Sequence, residues 1–341
     1  MRPPKHHGPP PKHGPPTSSS DPPTSTRAPT LTPRASPLTP RDPPPTHRVP
    51  APDGLILDVM DLVPAGPPRA IIVGGHAMMV DRRTYRPARN DDRPGLARTL
   101  VEAGFRVLLA DLRGHGRSGP LPREGGDWSY DQLVGDTEVY VALARRLAPE
   151  LPVVLLGHSL FAHTSLAWLG QHPQAPVAAH VALAMDVWLR DCEPSPARWL
   201  VKRSVMAAAA SIARAHGHFP ATRLRLGNMD ESAGYWTDIA RNVRHGTWTA
   251  RDGTDYRAGL ARVRCPCLHV VSVQDRLYAR PASALRLTSA IPHRTVWQLG
   301  LDPGLADLRP DHMGLLTGDS EPLWRALAAW LHTTLPAPAV L

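Results

Sequence analysis

The chain has 341 residues, a formal net charge of +9 and 40 prolines, which is enough length for one large α/β domain or two smaller ones. The prolines and the charge are concentrated in residues 1–50, where seven Lys and Arg side chains accompany two Asp side chains, giving a net charge of +5. The remaining +4 is mild for a chain of this size, and no nucleic-acid-binding motif is visible. We therefore expect no nucleic-acid partner.

Residues 1–52 are predicted to form a disordered, partly polyproline-II tail. They are rich in Pro, Ser, Thr, His and Arg and contain few large apolar side chains. Such a segment buries too little apolar surface to offset the entropy lost on ordering. It lacks the apolar stretch of a signal peptide, and no run in the chain reaches the ~18 apolar residues of a membrane span. We therefore expect a soluble, cytoplasmic protein.

The three cysteines are Cys192, Cys265 and Cys267. An odd and low count argues against a disulfide framework. Cys265 and Cys267 are close in sequence but have no second pair of ligands, so we predict no zinc site. Nothing in the sequence calls for another metal or a cofactor.

Strands and helices are predicted to alternate along the rest of the chain. A short strand pair is expected at 55–59 and 62–64. Further strands are expected at 69–73, 105–110, 153–156, 177–185, 267–273 and 294–299. Helices are expected at 96–102, 130–147, 160–170, 281–288 and 321–332. The strands are short and almost continuously apolar, which indicates an α/β fold with a mainly parallel, doubly wound sheet covered on both faces.

The stretch 186–263 interrupts this alternation. It contains helical patches at 197–215 and 235–243, several Trp residues and few strand signals. It therefore reads as a helical insertion between two strands of the sheet.

Polar residues follow the predicted strands at the points where each strand ends. In a parallel sheet the catalytic and binding residues lie at these carboxyl ends. Ser159 stands between the strand 153–156 and a helix, the setting of a sharp turn that exposes a nucleophilic hydroxyl. The alternative is that Ser159 only caps the helix. Asp186 and Asp275 follow other strands, and His312 follows the last one.

Five motifs carry a resemblance to a known family. They are Gly74-Gly75-His76, Asp111-x-Arg113-Gly114-His115-Gly116-x-Ser118, Gly157-His158-Ser159-Leu160, Gln274-Asp275-Arg276-Leu277 and Asp311-His312-Met313-Gly314. In this order and spacing they make the chain resemble the serine hydrolases of the α/β-hydrolase superfamily. The stretch 217–220 adds a weaker similarity to a group of uncharacterised bacterial hydrolases.

The resemblance implies a catalytic triad of Ser159, Asp275 and His312, in the chain order typical of the family. A serine hydroxyl needs a neighbouring base to become a nucleophile, and histidine suits that role at neutral pH. A carboxylate fixes the tautomer of the histidine and stabilises its charged form. Asp186 remains the alternative acid, because it follows the strand after Ser159.

The resemblance also implies an oxyanion hole made by the backbone N–H groups of Leu160 and His76, with Ala77 as the alternative to His76. The side chain of His76 is expected either to line the pocket or to be solvated. Phe161 stands where the family usually has a small residue, so its ring is expected to disturb the turn at Ser159.

These observations predict a hydrolase domain at residues 53–335, with residues 187–262 forming a helical lid. Six large side chains of the lid are candidates for an apolar pocket ceiling, with ordinary packing as the alternative: Trp188, Trp199, Met206, Tyr235, Trp236 and Trp248. The predicted function is hydrolysis of a carboxylic ester or related acyl bond of an apolar small molecule, through an acyl-enzyme on Ser159. The alternatives are an acyltransferase and a non-catalytic binding protein of the same fold.

Overall fold

A computed structural model describes residues 44–86 and 95–336 of the chain. The strands are β1 (Thr46–Pro50), β2 (Ile56–Leu62), β3 (Ile71–Gly75), β4 (Arg106–Ala110), β5 (Val153–His158), β6 (Val177–Leu183), β7 (His218–Phe219), β8 (Glu231–Ser232), β9 (Cys267–Ser272) and β10 (Arg294–Leu299). The helices are α1 (Leu96–Glu102), α2 (Tyr130–Leu147), α3 (Leu160–Gln171), α4 (Pro196–His216), α5 (Ala233–His245), α6 (Tyr256–Gly259), α7 (Pro281–Leu287), α8 (Gly314–Thr317) and α9 (Glu321–Thr334).

Eight of the strands form one sheet in the order β1-β2-β4-β3-β5-β6-β9-β10. The pairs from β4 to β10 are parallel, whereas β1 and β2 pair antiparallel with their neighbours. Two apolar clusters lie on opposite faces of this sheet. One contains residues of α2 and α3, and the other contains residues of α1 and α9. This arrangement confirms the predicted α/β fold with a mainly parallel, doubly wound sheet.

The predicted helices and strands recur with small shifts at their ends. The helix α2 begins and ends at the predicted residues. The Ser129 hydroxyl accepts the Gln132 N–H at 3.1 Å, and the Gln132 side-chain oxygen accepts the Ser129 N–H. These two hydrogen bonds cap the first turn of the helix. The apolar stripe of this helix therefore located it correctly, and its cap explains why it begins where it does.

The first strands differ from the sequence prediction. The strand pair is β1 with β2, so residues 46–50, which we assigned to the disordered tail, form a strand. The His47 Nε2 atom lies 2.9 Å from Asp61 Oδ2 across this pair. The contact joins residues 14 positions apart, and local composition gives no sign of it. Residues 1–43 of the predicted tail lie outside the described residues.

Residues 187–262, which we call the inserted segment, lie between β6 and β9, two neighbouring strands of the sheet. They contain α4, α5, α6 and the two-stranded ribbon of β7 and β8. The buried face of α4 carries Trp199, Lys202, Met206, Ala209 and Ala213, spaced as one helical stripe. Within the described ranges, no helix combines the length and apolar character needed to cross a membrane.

Candidate active site

Ser159 occupies a strained turn between β5 and α3. Its backbone has φ 50° and ψ −102°, a conformation that residues other than glycine rarely adopt. Its N–H donates to the carbonyl of Leu183 at 2.9 Å, and its carbonyl accepts the His163 N–H at 3.2 Å. The Ser159 hydroxyl makes no capping hydrogen bond to α3. The interpretation of Ser159 as a helix cap is therefore wrong.

Two glycines make room for this turn. A β-carbon on Gly157 would overlap the backbone of Ala162, so α3 approaches β5 closely only because Gly157 has none. A β-carbon on Gly75 would overlap the Phe161 ring. That ring is fully buried and packs edge to face with Tyr140, with 5.9 Å between the centroids. The large side chain is therefore accommodated over β3, away from the Ser159 hydroxyl.

His312 and Asp275 form a close pair in the loops that follow β10 and β9. The His312 Nδ1 atom lies 2.6 Å from Asp275 Oδ2. The pair is almost entirely buried, and the Tyr278 N–H donates to the other carboxylate oxygen at 3.0 Å. Burial alone would raise the pKa of Asp275, but the hydrogen bond and charge of His312 and nearby backbone N–H groups outweigh it and lower the pKa. A carboxylate at this distance from Nδ1 orients the His312 ring.

His158 links this pair to the serine turn. Its Nε2–H donates to the His312 carbonyl at 2.9 Å, and the two rings lie 5.0 Å apart. Burial lowers the pKa of His158 to about 3, so the ring is neutral at physiological pH. Because His158 directly precedes Ser159, this contact holds the His312 loop beside the serine turn. The Tyr278 ring packs on the other side of His312, at 4.7 Å.

Asp186, the alternative acid, makes a different contact. Its carboxylate lies 4.0 Å from Lys202 Nζ of α4, whereas His312 pairs with Asp275. Lys202 is itself 3.0 Å from Glu193 Oε2, and all three side chains are fully buried. The geometry therefore favours Asp275 over Asp186 as the partner of the histidine.

The loop after β3 positions the predicted oxyanion groups. His76 is fully buried, so the expectation that its side chain lines the pocket or is solvated is wrong. Its Nε2 accepts the Leu112 N–H at 3.0 Å, its Nδ1–H donates to the Ala77 carbonyl at 2.7 Å, and its own carbonyl accepts the Phe161 N–H at 3.2 Å. These contacts join the loop to α3. Outside helices and strands, the hydrogen bonds of the described residues use neither the Leu160 N–H nor the His76 N–H.

Ser159 opens into a cavity of about 220 Å³ between the sheet and the inserted segment. Its walls are mostly apolar and aromatic, and they include four of the six predicted ceiling residues: Trp188, Met206, Tyr235 and Trp236. The other two are buried elsewhere, and Trp248 donates from Nε1 to the Tyr130 hydroxyl at 2.9 Å. His312 lines an adjoining cavity that shares Met78, Met79, Leu226 and Tyr278 with this one.

Three residues around the site make buried polar contacts that the sequence did not indicate. Lys202 stands on the apolar stripe of α4, and a lysine at such a position signals a buried partner. Glu231 lies 3.2 Å from His115 Nε2, and both are fully buried, but their separation of 116 positions left no pattern to detect. His158 was quoted in a motif without a role of its own.

The sequence matches the model of one known protein family. The sequence model described as "Serine aminopeptidase, S33" matches residues 92–296, more than half of the chain. The chain belongs to this family of the α/β-hydrolase superfamily. It is therefore a hydrolase by family, as the motifs predicted. No curated protein matches the sequence.

Solved structures resemble this hydrolase in fold. An esterase from Thermogutta terrifontis is 17% identical with a TM-score of 0.54, and the match covers 84% of this chain and 97% of that one. An esterase from Exiguobacterium antarcticum is 16% identical with a TM-score of 0.56, covering 84% and 98%. A monoacylglycerol lipase from Paleococcus ferrophilus is 17% identical with a TM-score of 0.55, covering 82% and 99%. At these identities the likeness establishes the shared fold.

Proposed function

We propose that this hydrolase cleaves a carboxylic ester of an apolar small molecule through an acyl-enzyme on Ser159. The observation that carries the proposal is the 2.6 Å bond between His312 Nδ1 and Asp275, held by His158 next to the strained turn of Ser159. A serine, a histidine and a carboxylate arranged in this way form the machinery of acyl transfer.

In the proposed reaction, His312 Nε2 takes the hydroxyl proton of Ser159 while the serine oxygen bonds to the ester carbon. The N–H groups of Leu160 and His76 stabilise the negative charge that develops on the carbonyl oxygen. His312 then gives the proton to the leaving alcohol as the carbon–oxygen bond breaks. A water molecule then attacks the acyl-enzyme through the same two steps, again with His312 as base and acid. This frees the carboxylic acid and restores Ser159.

The choice of an ester rests on the cavity. Its apolar walls suit an acyl chain, whereas removal of an N-terminal amino acid requires a place for a free ammonium group. Among the described residues, Asp186 is the one carboxylate that lines the cavity, and it already has the ammonium of Lys202 beside it. The charge at that point is therefore compensated, which favours a neutral substrate.

We further propose that the inserted segment acts as a lid and that residues 53–335 form the catalytic domain. Twelve of the twenty residues that line the cavity come from 187–262, so this segment supplies most of the wall opposite Ser159. Enclosure of this kind excludes water from the reacting groups and strengthens the electrostatic stabilisation of the transition state.

The first experiment is labelling of the full chain with a fluorophosphonate probe. We expect an adduct on Ser159, located by peptide mass, that is lost in Ser159→Ala and in His312→Ala. Turnover of p-nitrophenyl butyrate should vanish in the same variants, and leucine p-nitroanilide should not be cleaved. Folded wild type that resists labelling would support the binding-protein alternative, and product shifted to an added alcohol would support acyl transfer.

A further inference from the structure

The polar side chains that line the cavity are not equally satisfied. The His163 Nδ1 accepts the Tyr130 hydroxyl at 2.7 Å, and that hydroxyl in turn accepts the Trp248 N–H. Asn242 donates from Nδ2 to the Thr249 carbonyl at 3.2 Å. Ser159 carries the reacting hydroxyl in the proposed function. Asp186 is the remaining polar group with a charge, and it has no comparable partner.

The Asp186 carboxylate has no described donor within hydrogen-bond distance, although the Ser283 hydroxyl, itself unpaired, and the Lys202 ammonium lie near it. Its side chain is fully buried, lines the cavity, and has neither carboxylate oxygen in a hydrogen bond. The Lys202 ammonium lies 4.0 Å away, which is too far for a hydrogen bond. Burial raises the pKa of Asp186 to about 7, against the opposing effects of Lys202 and the Ser283 hydroxyl. A buried acceptor left unpaired costs about 1–3 kcal/mol, so a ligand that supplies a donor gains from pairing with it.

The surrounding charges determine which donor fits. Lys202 lies between Asp186 and Glu193, and Arg198 and Arg280 lie 3.4 Å and 3.7 Å from the far oxygen of Glu193. Three cationic groups therefore accompany two carboxylates. A further positive charge would be repelled by Lys202, whereas an uncharged hydroxyl gains the hydrogen bond without that repulsion.

We infer that Asp186 is a specificity-determining residue that accepts a hydrogen bond from a hydroxyl group on an otherwise apolar ester substrate. This inference rests on the proposed ester hydrolysis and adds the substrate class: hydroxylated esters over their plain counterparts. A hydroxyl on the acyl chain and one on the alcohol present the same chemistry, and the experiment separates them.

The competing explanation is that Asp186 only anchors α4 through Lys202. A purely structural role would affect all substrates alike, because a displaced α4 alters the cavity for each of them. A recognition role instead changes the ratio between two substrates that differ by a hydroxyl. Asp307 provides a matched control, because it is a carboxylate at an exposed position that does not line the cavity.

The test compares kcat/KM for propyl hexanoate, propyl 6-hydroxyhexanoate and glycerol monohexanoate at a pH above the Asp186 pKa of about 7, where the carboxylate is charged. We expect wild type to prefer one hydroxylated ester by about 10-fold to 100-fold, the factor that a hydrogen bond to a charged group supplies. Asp186→Ala should reduce this ratio to about 1. Asp186→Asn, which keeps an acceptor oxygen, should retain part of it, and Asp307→Ala should leave the ratio as in wild type.

A ratio near 1 for both hydroxylated esters in wild type would overturn the inference, as would an equal loss for all three esters in Asp186→Ala. The same ratios are also measured as Kd values in the Ser159→Ala background, by titrating tryptophan fluorescence. This arm is independent of turnover. If wild type hydrolyses no ester but the Kd ratio persists and depends on Asp186, the proposed reaction is wrong and the recognition site stands.

Discussion

The ring of Phe161 occupies the space that a side chain on Gly75 would fill. Gly75 ends β3, and Phe161 begins the first turn of α3, two residues after Ser159. A β-carbon built on Gly75 overlaps three atoms of Phe161. The lack of a side chain at Gly75 on β3 thus makes room for the large Phe161 side chain beside the strained turn that follows β5.

Gly75→Ala is expected to destabilise the protein by about 1–3 kcal/mol, because the added methyl group overpacks a fully buried site. It should also lower ester turnover, since the displaced Phe161 is next to the serine turn. Denaturation in urea and p-nitrophenyl butyrate hydrolysis measure the two effects.

The matched control is Gly66→Ala, where an added β-carbon meets nothing within 4 Å. Adding Phe161→Leu to Gly75→Ala should recover part of the lost stability by making room for the methyl group. If the single variant is as stable as wild type, or if the second substitution makes it worse, the complementarity we describe is not significant for folding.

Asp275→Asn is expected to lower kcat by about 10⁴-fold while the protein remains folded, as loss of the orienting carboxylate does in serine hydrolases with this arrangement. The amide cannot hold His312 with Nδ1 protonated, so Nε2 is no longer a base. Turnover of p-nitrophenyl butyrate measures the effect, and circular dichroism checks the fold. Asp307→Asn, on the exposed loop before His312, should retain wild-type turnover. Comparable losses in both variants would contradict the assignment of Asp275.

Acid is expected to unfold this protein near pH 5. Burial lowers the pKa of four buried histidines to about 3: His76, His158, His163 and His180. Below about pH 6.5 these histidines bind protons in the unfolded chain but not in the folded protein. The free energy of unfolding therefore falls as the pH drops towards 3. At pH 5 each ring costs about 2 kcal/mol, whereas protonation of Asp186, whose pKa burial raises to about 7, returns about 3 kcal/mol. The net loss of about 5 kcal/mol reaches the lower end of the 5–15 kcal/mol stability of a typical domain.

The measurement is the free energy of unfolding in urea between pH 8 and pH 5. His180 lies on β6, where its Nε2 contacts the Ser165 hydroxyl at 3.0 Å, and it does not line the cavity. His180→Gln should reduce the slope of stability against pH below 6.5 by about 1.4 kcal/mol per unit, one proton's worth. An unchanged slope would mean that the buried ring is protonated in the folded protein.

Lys202→Met is expected to destabilise the protein by about 3–5 kcal/mol at pH 8, because it leaves Asp186 and Glu193 buried without their shared cation. Arg203→Met is the control, since Arg203 is the next residue of α4 and faces outward. Unfolding in urea compares the two.

Adding Asp186→Asn to Lys202→Met should restore part of the loss by removing one uncompensated charge. A Lys202→Met protein as stable as the Arg203→Met protein would show that the buried cluster contributes nothing to stability.

Local pattern alone located most of the regular structure. The predicted bounds of α2 and β10 match the structure. For α2 this is because an apolar stripe reports which face of a helix is buried. The order of Ser159, Asp275 and His312 along the chain was also visible, since each follows a strand and parallel strands end at one edge of the sheet.

The choice of partners was decided by the tertiary structure. The sequence offered Asp186 and Asp275 as acids, and only the packing places Asp275 within 2.6 Å of His312 and Asp186 beside Lys202. The buried His76 and the strand β1 were likewise mispredicted from the chain alone. Periodicity encodes the burial of an element's own face, whereas a hydrogen bond depends on which distant atoms the connections between strands bring together, and no local pattern records that.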